Sequence, residues 1–123
     1  FFRGFKNDIK SVILESDLIL QTPVKPDSLP TVIIDSLTLN RPVVSTDTGG
    51  CSEILNKGEN GLLIPLDDPK SSAKLIYEYC NNLSLQKQHL KNAKIFLNQN
   101  FSRIEFEKRI LNKLSRVYYG QKI

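Results

Sequence analysis

Short blocks of apolar residues alternate with polar turns over the first half of the chain, and each block has the length of a strand or a short helix. Leu18, Ile19 and Leu20 form a continuous apolar run, which is typical of a strand buried on both faces. The predicted strands occupy residues 1–2, 17–21, 42–46 and 62–64. Helices are predicted between them, at about 8–15, 30–39 and 52–55. This alternation predicts a parallel sheet with crossover helices.

The second half of the chain has helical periodicity only. Asp68 followed by Pro69 predicts a helix start, and helical spacing of apolar residues follows. The apolar positions of this first helix are Ala73, Ile76, Tyr77 and Cys80. A second helix is predicted over about 85–97. A third begins after Ser102, which forms the pattern of a capping box with Glu105.

The third helix carries an apolar stripe and many basic residues. Phe101 and Phe106 flank its start with the spacing of a hydrophobic staple. The stripe consists of Ile104, Leu111, Leu114, Val117 and Tyr118. We expect Ile104, Leu111 and Leu114 to pack against the rest of the domain, with the Lys and Arg side chains turned outward.

These elements predict an α/β fold, a Rossmann-like parallel sheet with crossover helices that ends in a helical C-terminal segment. The 123 residues, of which 40% are apolar, suit a single domain over 1–123 with its own core. The sheet and its crossovers would occupy 1–65 and the helical segment 66–123. Because the chain holds no methionine and opens inside a predicted strand, we expect it to be a fragment of a longer protein.

The net charge of +4 is unevenly distributed. Residues 1–83 hold 8 Lys and Arg against 11 Asp and Glu, whereas residues 84–123 hold 9 against 2. A basic segment suits nucleic acid or an anionic membrane surface. Here the charges alternate with apolar residues at helical spacing, which favours the solvated face of helices. No nucleic-acid partner is expected, and peripheral contact with an anionic membrane stays open.

Several classes of site and location are disfavoured. Cys51 and Cys80 lack the spacing of a metal site or disulfide framework and are expected to be free thiols. His89, between two lysines, is expected on the surface. No cofactor and no protein-held metal are expected. No apolar run is long enough to span a bilayer and no leader pattern opens the chain, so a cytoplasmic location is expected, with attachment to the inner face of a membrane as an alternative.

Two acids separated by seven residues, Asp27 and Asp35, flank a predicted helix start at Pro30. Proline suits the first helical position, so the backbone amides of Thr31 and Val32 would be left unpaired. Unpaired amides at a helix start attract phosphate, and carboxylates bind the hydroxyls of sugars and ribose. The segment therefore indicates a site for a nucleotide sugar.

A second loop is expected in the same crevice, because ligands bind beyond the carboxyl ends of parallel strands. Residues 22–29 follow one predicted strand, and residues 47–50 follow the next. Gly49 and Gly50 would let the backbone approach a ligand closely. Each feature also has a plainer interpretation: a simple turn for the glycines, a helix cap for Asp27 and a solvated position for Asp35. Their combination favours the site.

Three segments carry a resemblance to a known family. They are 27–37, beginning Asp-Ser-Leu-Pro-Thr-Val-Ile-Ile-Asp, 41–54, which contains Ser-Thr-Asp-Thr-Gly-Gly, and 58–65, Gly-Glu-Asn-Gly-Leu-Leu-Ile-Pro. In this order and spacing they resemble the C-terminal nucleotide-sugar-binding domain of retaining glycosyltransferases of the GT-B fold, family 4. The resemblance extends to residues 2–5, 16–18 and 101–102.

The resemblance implies that Asp27 contacts the donor sugar near its reacting centre and that Asp35 contacts the ribose. The amides of Thr31 and Val32 would hold the diphosphate. The rest of the expected donor-binding set is Leu29, Pro30, Gly49 and Gly50, with Gly4 and Phe5 near the base. The chain departs from the family in carrying aspartate where glutamate is usual at both acidic positions, and proline where glycine is most common.

By the same resemblance, the chain is the donor-binding half of an enzyme that moves a sugar from a nucleoside diphosphate to an acceptor, in glycan or polysaccharide biosynthesis. Its partners would be the nucleotide-sugar donor and the N-terminal GT-B domain of the same protein. The basic pair that the family places further upstream is not among these residues, so this piece alone is expected to be inactive. Two alternatives stay open: a catalytically degenerate scaffold module, and a GT-B enzyme that acts on the sugar nucleotide itself, such as an epimerase.

Overall fold

The computed structural model describes residues 2–119, with side chains as far as residue 115. Its sheet has three strands, β1 (Ile19–Gln21), β2 (Val43–Thr46) and β3 (Leu62–Ile64), in the order β1-β2-β3. Both pairings are parallel, with Leu20 opposite Val44 and Thr46 opposite Ile64. The α/β fold expected from the alternating pattern is confirmed.

Helices connect and follow the strands. They are α1 (Ile9–Leu14), α2 (Thr31–Thr38), α3 (Gly50–Ile54), α4 (Pro69–Cys80), α5 (Leu83–Asn100) and α6 (Arg103–Tyr119). A short 3₁₀ turn, Asn56–Gly58, lies between α3 and β3. Parallel strands need such crossovers, because the chain must return to the same edge of the sheet before each new strand.

The core lies on both faces of β2, the central strand. Val43 and Val44 are fully buried and point to opposite faces, as alternation along a strand requires. The face of Val43 is covered by α2, α3 and α5, whose buried contacts are Ile33, Leu37, Cys51, Ile54, Leu55, Ala93 and Leu97. The face of Val44 is covered by α4 through Tyr79, together with Ile64 of β3. Because both faces are covered, β2 is fixed more firmly than any other strand.

Side-chain hydrogen bonds cap the starts of several helices, and the sequence predicted the caps at Asp68 and Ser102. Asp68 accepts a hydrogen bond from the backbone N–H of Ser71 at 3.0 Å, and Asn82 accepts one from Leu85 at 3.0 Å. The Ser71 hydroxyl and amide hold the pKa of Asp68 below its ordinary value. At α6 only half of the capping box forms. The Ser102 hydroxyl accepts from the Glu105 amide, but the Glu105 carboxylate accepts from Lys108 at 2.8 Å.

Two predictions about strands are wrong in part. Phe2 belongs to no strand and is exposed, because no neighbour among the described residues pairs with it; Phe1 lies outside them. The run Leu18 to Leu20 is not buried on both faces, because β1 is an edge strand and leaves Leu20 53% exposed. Among the described residues, no further strand pairs with the outer edge of β1.

Predictions about helix faces also need correction. In α4 the buried side chains are Ser72 and Tyr79, whereas Tyr77 and Cys80 are exposed. In α6 the three residues expected to pack are exposed, with Ile104 at 66%, Leu111 at 65% and Leu114 at 54%. Val117 and Tyr118 of the same stripe lie outside the described side chains. A helical apolar stripe shows that a face needs a partner, and it does not say which part of the protein supplies one.

His89 is buried and not on the surface, contrary to expectation. Its Nδ1 lies 3.1 Å from the Tyr79 hydroxyl, and the two rings stack with centroids 5.5 Å apart. Burial lowers the pKa of His89 and raises that of Tyr79. The thiols of Cys51 and Cys80 are both free, as expected. Over the described residues, no helix combines the length and the apolar character needed to cross a bilayer.

Candidate functional site

The candidate site lies where β1 and β2 end. The chain leaves β1 at Gln21 and reaches α2 through residues 22–30, which we call the first loop. It leaves β2 at Thr46 and reaches α3 through residues 47–49, which with Gly50 we call the second loop. Because β1 and β2 are parallel neighbours, both loops emerge on the same side of the sheet, at the carboxyl ends of the strands.

Helix α2 begins one residue later than predicted. Pro30 is the N-cap residue and Thr31 is the first helical residue, because the backbone of Pro30 is still extended, with ψ at 90°. Pro30 lacks an N–H group, and within the described part of the chain no backbone or side-chain acceptor faces the amides of Thr31 and Val32. The expected pair of open amides at the helix start is therefore present.

Asp27 is oriented by its own loop. Its Oδ1 accepts a hydrogen bond from the Leu29 amide at 3.1 Å, and its side chain is half-buried. This turn directs the carboxylate toward the start of α2 and commits the amide of Leu29. Leu29 therefore lies in the candidate site, but its N–H is already bonded within the protein.

Asp35 lies on the same side of α2 as Thr31. The two residues are four apart, so they share one face of the helix and are separated by about 6 Å along its axis. Both are exposed. Asp35 borders a groove of about 290 Å³ between α2 and α1, which also contains Ile13 and Lys10. No local pattern predicts Lys10 beside this acid, because α1 and α2 are separated in the chain by β1.

The two loops are bonded to each other. The amide of Gly50 donates to the carbonyl oxygen of Asp27 at 2.6 Å. The Thr46 hydroxyl donates to the carbonyl oxygen of Pro23 at 2.8 Å. The glycines are packed against the first loop, since a Cβ on Gly49 would lie 2.5 Å from the carbonyl oxygen of Asp27. A Cβ on Gly50 would overlap the carbonyl group of Ser28.

Sequence reasoning associated the glycines with a ligand and missed Thr46 altogether. A Gly-Gly pair signals that something approaches the backbone closely, without showing whether that is a ligand or another part of the chain. Thr46 gave no signal, because a threonine at the end of a strand is ordinary.

Gly4 and Phe5 are not brought to the other site residues. They lie in the irregular segment ahead of α1, where Phe5 is 91% exposed and nothing among the described residues approaches the Cβ position of Gly4. Arg3 of this segment forms an exposed ion pair with Glu15 at 2.9 Å. Within residues 2–119, no three His, Cys, Asp or Glu side chains are grouped as metal ligands.

Comparison with known families gives one match over most of the chain. The family described as glycosyl transferases group 1 matches residues 1–96. Among curated relatives, the uncharacterized glycosyltransferase MJ1178 of Methanocaldococcus jannaschii is 32% identical over 77 residues, which are 63% of this chain and 22% of that protein. The lipopolysaccharide core biosynthesis glycosyltransferase LpsE of Rhizobium meliloti is 28% identical over 102 residues, 83% of this chain and 30% of that protein.

Solved structures give the same result. The crystal structure of Anabaena Alr3699/HepE in complex with UDP and glucose matches 94% of this chain with a TM-score of 0.81 and 26% identity. This chain spans 31% of that protein, and thus less than a third of the length of each relative named here. The family match, the fold and the order of the motifs agree, and the chain belongs to the group 1 glycosyltransferases.

Proposed function

We propose that the chain is the donor-binding half of a retaining glycosyltransferase, which binds a nucleoside diphosphate sugar at the ends of β1 and β2. The observation that carries the proposal is the start of α2. Two amides without a partner among the described residues stand there, with the carboxylates of Asp27 and Asp35 near them. A helix start of this kind bears roughly half an elementary positive charge, which suits a diphosphate.

The pieces of the donor would be distributed along α2. The diphosphate accepts hydrogen bonds from the amides of Thr31 and Val32. The ribose extends along the exposed face of the helix to Asp35, about 6 Å further on, where the groove beside α1 has room for the nucleoside. The sugar lies toward Asp27 and the second loop, where the amide of Gly49 has no acceptor among the described residues.

The donor-binding half would contribute to catalysis mainly by electrostatic stabilisation. During transfer the bond between the anomeric carbon and the diphosphate oxygen breaks, and the diphosphate leaves with the electron pair. An acceptor hydroxyl oxygen then bonds to the anomeric carbon and gives its proton to the departing diphosphate. Fixed amides at the helix start stabilise the charge that develops on the leaving oxygen, because they are aligned before the reaction begins. Asp27, beside the reacting carbon, would hold the sugar in position for attack.

The rest of the enzyme would lie outside this chain. We assign the acceptor site to the N-terminal GT-B domain of the same protein, which would also cover the exposed apolar side chains of α6. The names of relatives support a role in polysaccharide or lipopolysaccharide biosynthesis, and the complexes of HepE with UDP-glucose and with UDP support a uridine nucleotide as the first donor to test.

Titration of the full-length protein with UDP, UDP-glucose, ADP and GDP tests the proposal. We expect saturable binding of one nucleoside diphosphate, with the largest amide NMR shifts at Thr31 and Val32. Asp17, which precedes β1 at the opposite end of the sheet, offers a matched control. Asp17→Asn should bind as the unaltered protein does. Shifts confined to α6 would place the site elsewhere and contradict the proposal.

The scaffold alternative rests on one observation, the presence of aspartate at both acidic positions. A carboxylate one methylene shorter reaches less far toward a sugar or ribose. Asp27→Glu and Asp35→Glu in the full-length protein distinguish the two functions. An enzyme adapted to aspartate loses activity in these variants, whereas a degenerate module gains affinity for the donor and shows no turnover before or after the change.

A further inference from the structure

Two contacts fasten the first loop, one to the end of β2 and one to the second loop, and neither involves a ligand. At one end of the first loop, the Thr46 hydroxyl donates to the carbonyl oxygen of Pro23 at 2.8 Å, and Thr46 is almost fully buried. Further along the loop, the Gly50 amide donates to the carbonyl oxygen of Asp27 at 2.6 Å. The first loop is thus held at two points, by Thr46 of β2 and by Gly50 at the start of α3.

The space around Gly49 and Gly50 is occupied by protein. A Cβ on Gly49 would lie 2.5 Å from the carbonyl oxygen of Asp27 and 2.8 Å from its backbone nitrogen. A Cβ on Gly50 would overlap the carbonyl group of Ser28 and would also lie 3.1 Å from the carbonyl oxygen of Asp27. These neighbours are backbone atoms, which cannot rotate away as a side chain does. Any larger residue at either position must displace the first loop.

We propose that Thr46, Gly49 and Gly50 are positioning residues that set the place of the Asp27 carboxylate. The inference rests on the proposed function, since it concerns the acid assigned to the donor sugar. β2 is buried on both faces, so its end is a rigid support, whereas the first loop is irregular and begins at an edge strand. The second loop transfers the position of the central strand to Asp27, and the turn from Asp27 to Leu29 then directs the side chain.

We call Thr46, Gly49 and Gly50, with their contacts to the first loop, the clamp. The clamp acts on Asp27 more than on the nucleotide. Thr31, Val32 and Asp35 belong to α2, which is fixed independently of the first loop by the buried side chains of Ile33 and Leu37. Displacement of the first loop therefore moves Asp27. It leaves the amides of Thr31 and Val32 and the carboxylate of Asp35 in place. This separation predicts that clamp variants lower turnover and leave the affinity for a nucleoside diphosphate almost unchanged.

Gly50→Ala in the full-length protein is the direct test, and Gly58→Ala is its matched control. Gly50 has no positive φ, so alanine there is opposed only by the first loop. Gly58 has a φ of +97° and open space around its Cβ position, so alanine there strains the backbone without touching the site. The readouts are the amide resonances of residues 27–29, the affinity for UDP, and the rate of UDP release from UDP-glucose.

We expect Gly50→Ala to shift the resonances of residues 27–29 and to slow UDP release about 10- to 100-fold, the size of effect that a misplacement of about 1 Å causes. Its UDP affinity should stay close to that of the unaltered protein, and Gly58→Ala should change neither rate nor resonances. Unmoved resonances in a folded Gly50→Ala protein would overturn the inference. So would an equal loss of rate in Gly58→Ala.

A second pair of variants decides the matter if Gly50→Ala does not fold. Thr46→Val keeps the shape and removes the hydroxyl, whereas Thr46→Ser keeps the hydroxyl. Slower UDP release in the first and recovery in the second support the clamp, and an unchanged rate in Thr46→Val overturns it. If the unaltered protein binds no nucleotide, the proposed function fails, and the resonances of residues 27–29 in the unliganded variants still decide whether the clamp exists.

Discussion

At the scale of single residues, the candidate site depends on where two carboxylates stand relative to two amides. Asp27 has one oxygen occupied by the Leu29 amide, so its orientation is set before any donor arrives. Asp35 is exposed at the edge of a groove, where the proposed function would bring it to the ribose. The two acids are therefore expected to respond differently to substitution.

Asp35→Asn should weaken binding of the nucleoside diphosphate, because a charge-assisted hydrogen bond to a ribose hydroxyl is lost. The expected cost is about 1.5–3 kcal/mol, or roughly a ten- to a hundredfold loss of affinity. Calorimetric titration of the full-length protein measures it, with Asp17→Asn as the control of equal charge. Unchanged affinity in Asp35→Asn would remove the ribose-binding role.

His89 should make stability depend on pH. Burial lowers its pKa in the folded state, so the unfolded chain binds the proton more tightly than the folded protein does. The stabilising contribution is fully present above the unfolded-state pKa of about 6.5 and is lost as the pH falls from there through the lowered folded-state value. Thermal unfolding between about pH 8 and pH 5 should therefore show a steeper loss of stability in the unaltered protein than in His89→Gln. Parallel curves would contradict the assignment.

At the scale of elements, the helix that closes the core begins at a cap. Asn82 accepts from the Leu85 amide and starts α5, which carries the buried residues Ala93 and Leu97. The same helix also holds His89 against Tyr79 of α4. The start of α5 therefore affects packing on both faces of the sheet.

Asn82→Ala should lower the free energy of unfolding by about 0.5–2 kcal/mol, because the first turn of α5 loses its side-chain acceptor. Asn82→Asp keeps an acceptor at the same position and should restore most of that loss. Chemical denaturation of the two variants side by side provides the measurement. Equal destabilisation by both changes would show that the amide of Asn82 matters for another reason.

At the scale of the whole molecule, two regions of the described chain expose several apolar side chains. The N-terminal part holds Phe5, Leu20 and Val24, and α6 holds Leu111 and its neighbours along the same stripe. Parallel sheets are normally covered on both faces and extended by further strands, so an exposed edge at β1 indicates missing neighbours. We expect the remainder of the full-length protein to cover both regions.

Leu111→Ala distinguishes a covered α6 from an open one. Alanine favours helix at least as well as leucine, so an exposed position should lose little stability. A leucine buried by the rest of the protein should lose about 2–5 kcal/mol. We expect the larger loss in the full-length protein, measured by chemical denaturation. Lys113→Ala, at an exposed position two residues later, is the control and should cost little in either case.

A small effect of Leu111→Ala would show that the apolar face of α6 is not covered by the rest of the protein. Contact with an anionic membrane would then be the alternative to test. Each basic side chain near an acidic leaflet contributes about 1 kcal/mol to attachment. Sedimentation of the full-length protein with acidic but not neutral vesicles, abolished by charge reversal at Lys108, Arg109 and Lys113, would then identify α6 as a peripheral membrane surface.

The sequence alone determined the alternation of strands and helices, the cap at Asp68, and the order of motifs that identifies the family. These depend on local chemistry: periodicity, the fixed φ of proline, and side chains that bond to nearby amides. The position of the open amides at Thr31 and Val32 was predictable for the same reason, with an error of one residue in the start of α2.

Only the tertiary structure decided which residues pack against the positions that the sequence patterns had singled out. The Gly49-Gly50 pair predicted that some group packs closely against the backbone there, and the structure shows that this group is the first loop. His89 looked like a surface residue between two lysines until Tyr79, ten positions away, was found to cover it. The stripe of α6 showed a need for burial that the described residues do not meet. In each case the deciding atoms are distant in sequence, so no local pattern could reveal them.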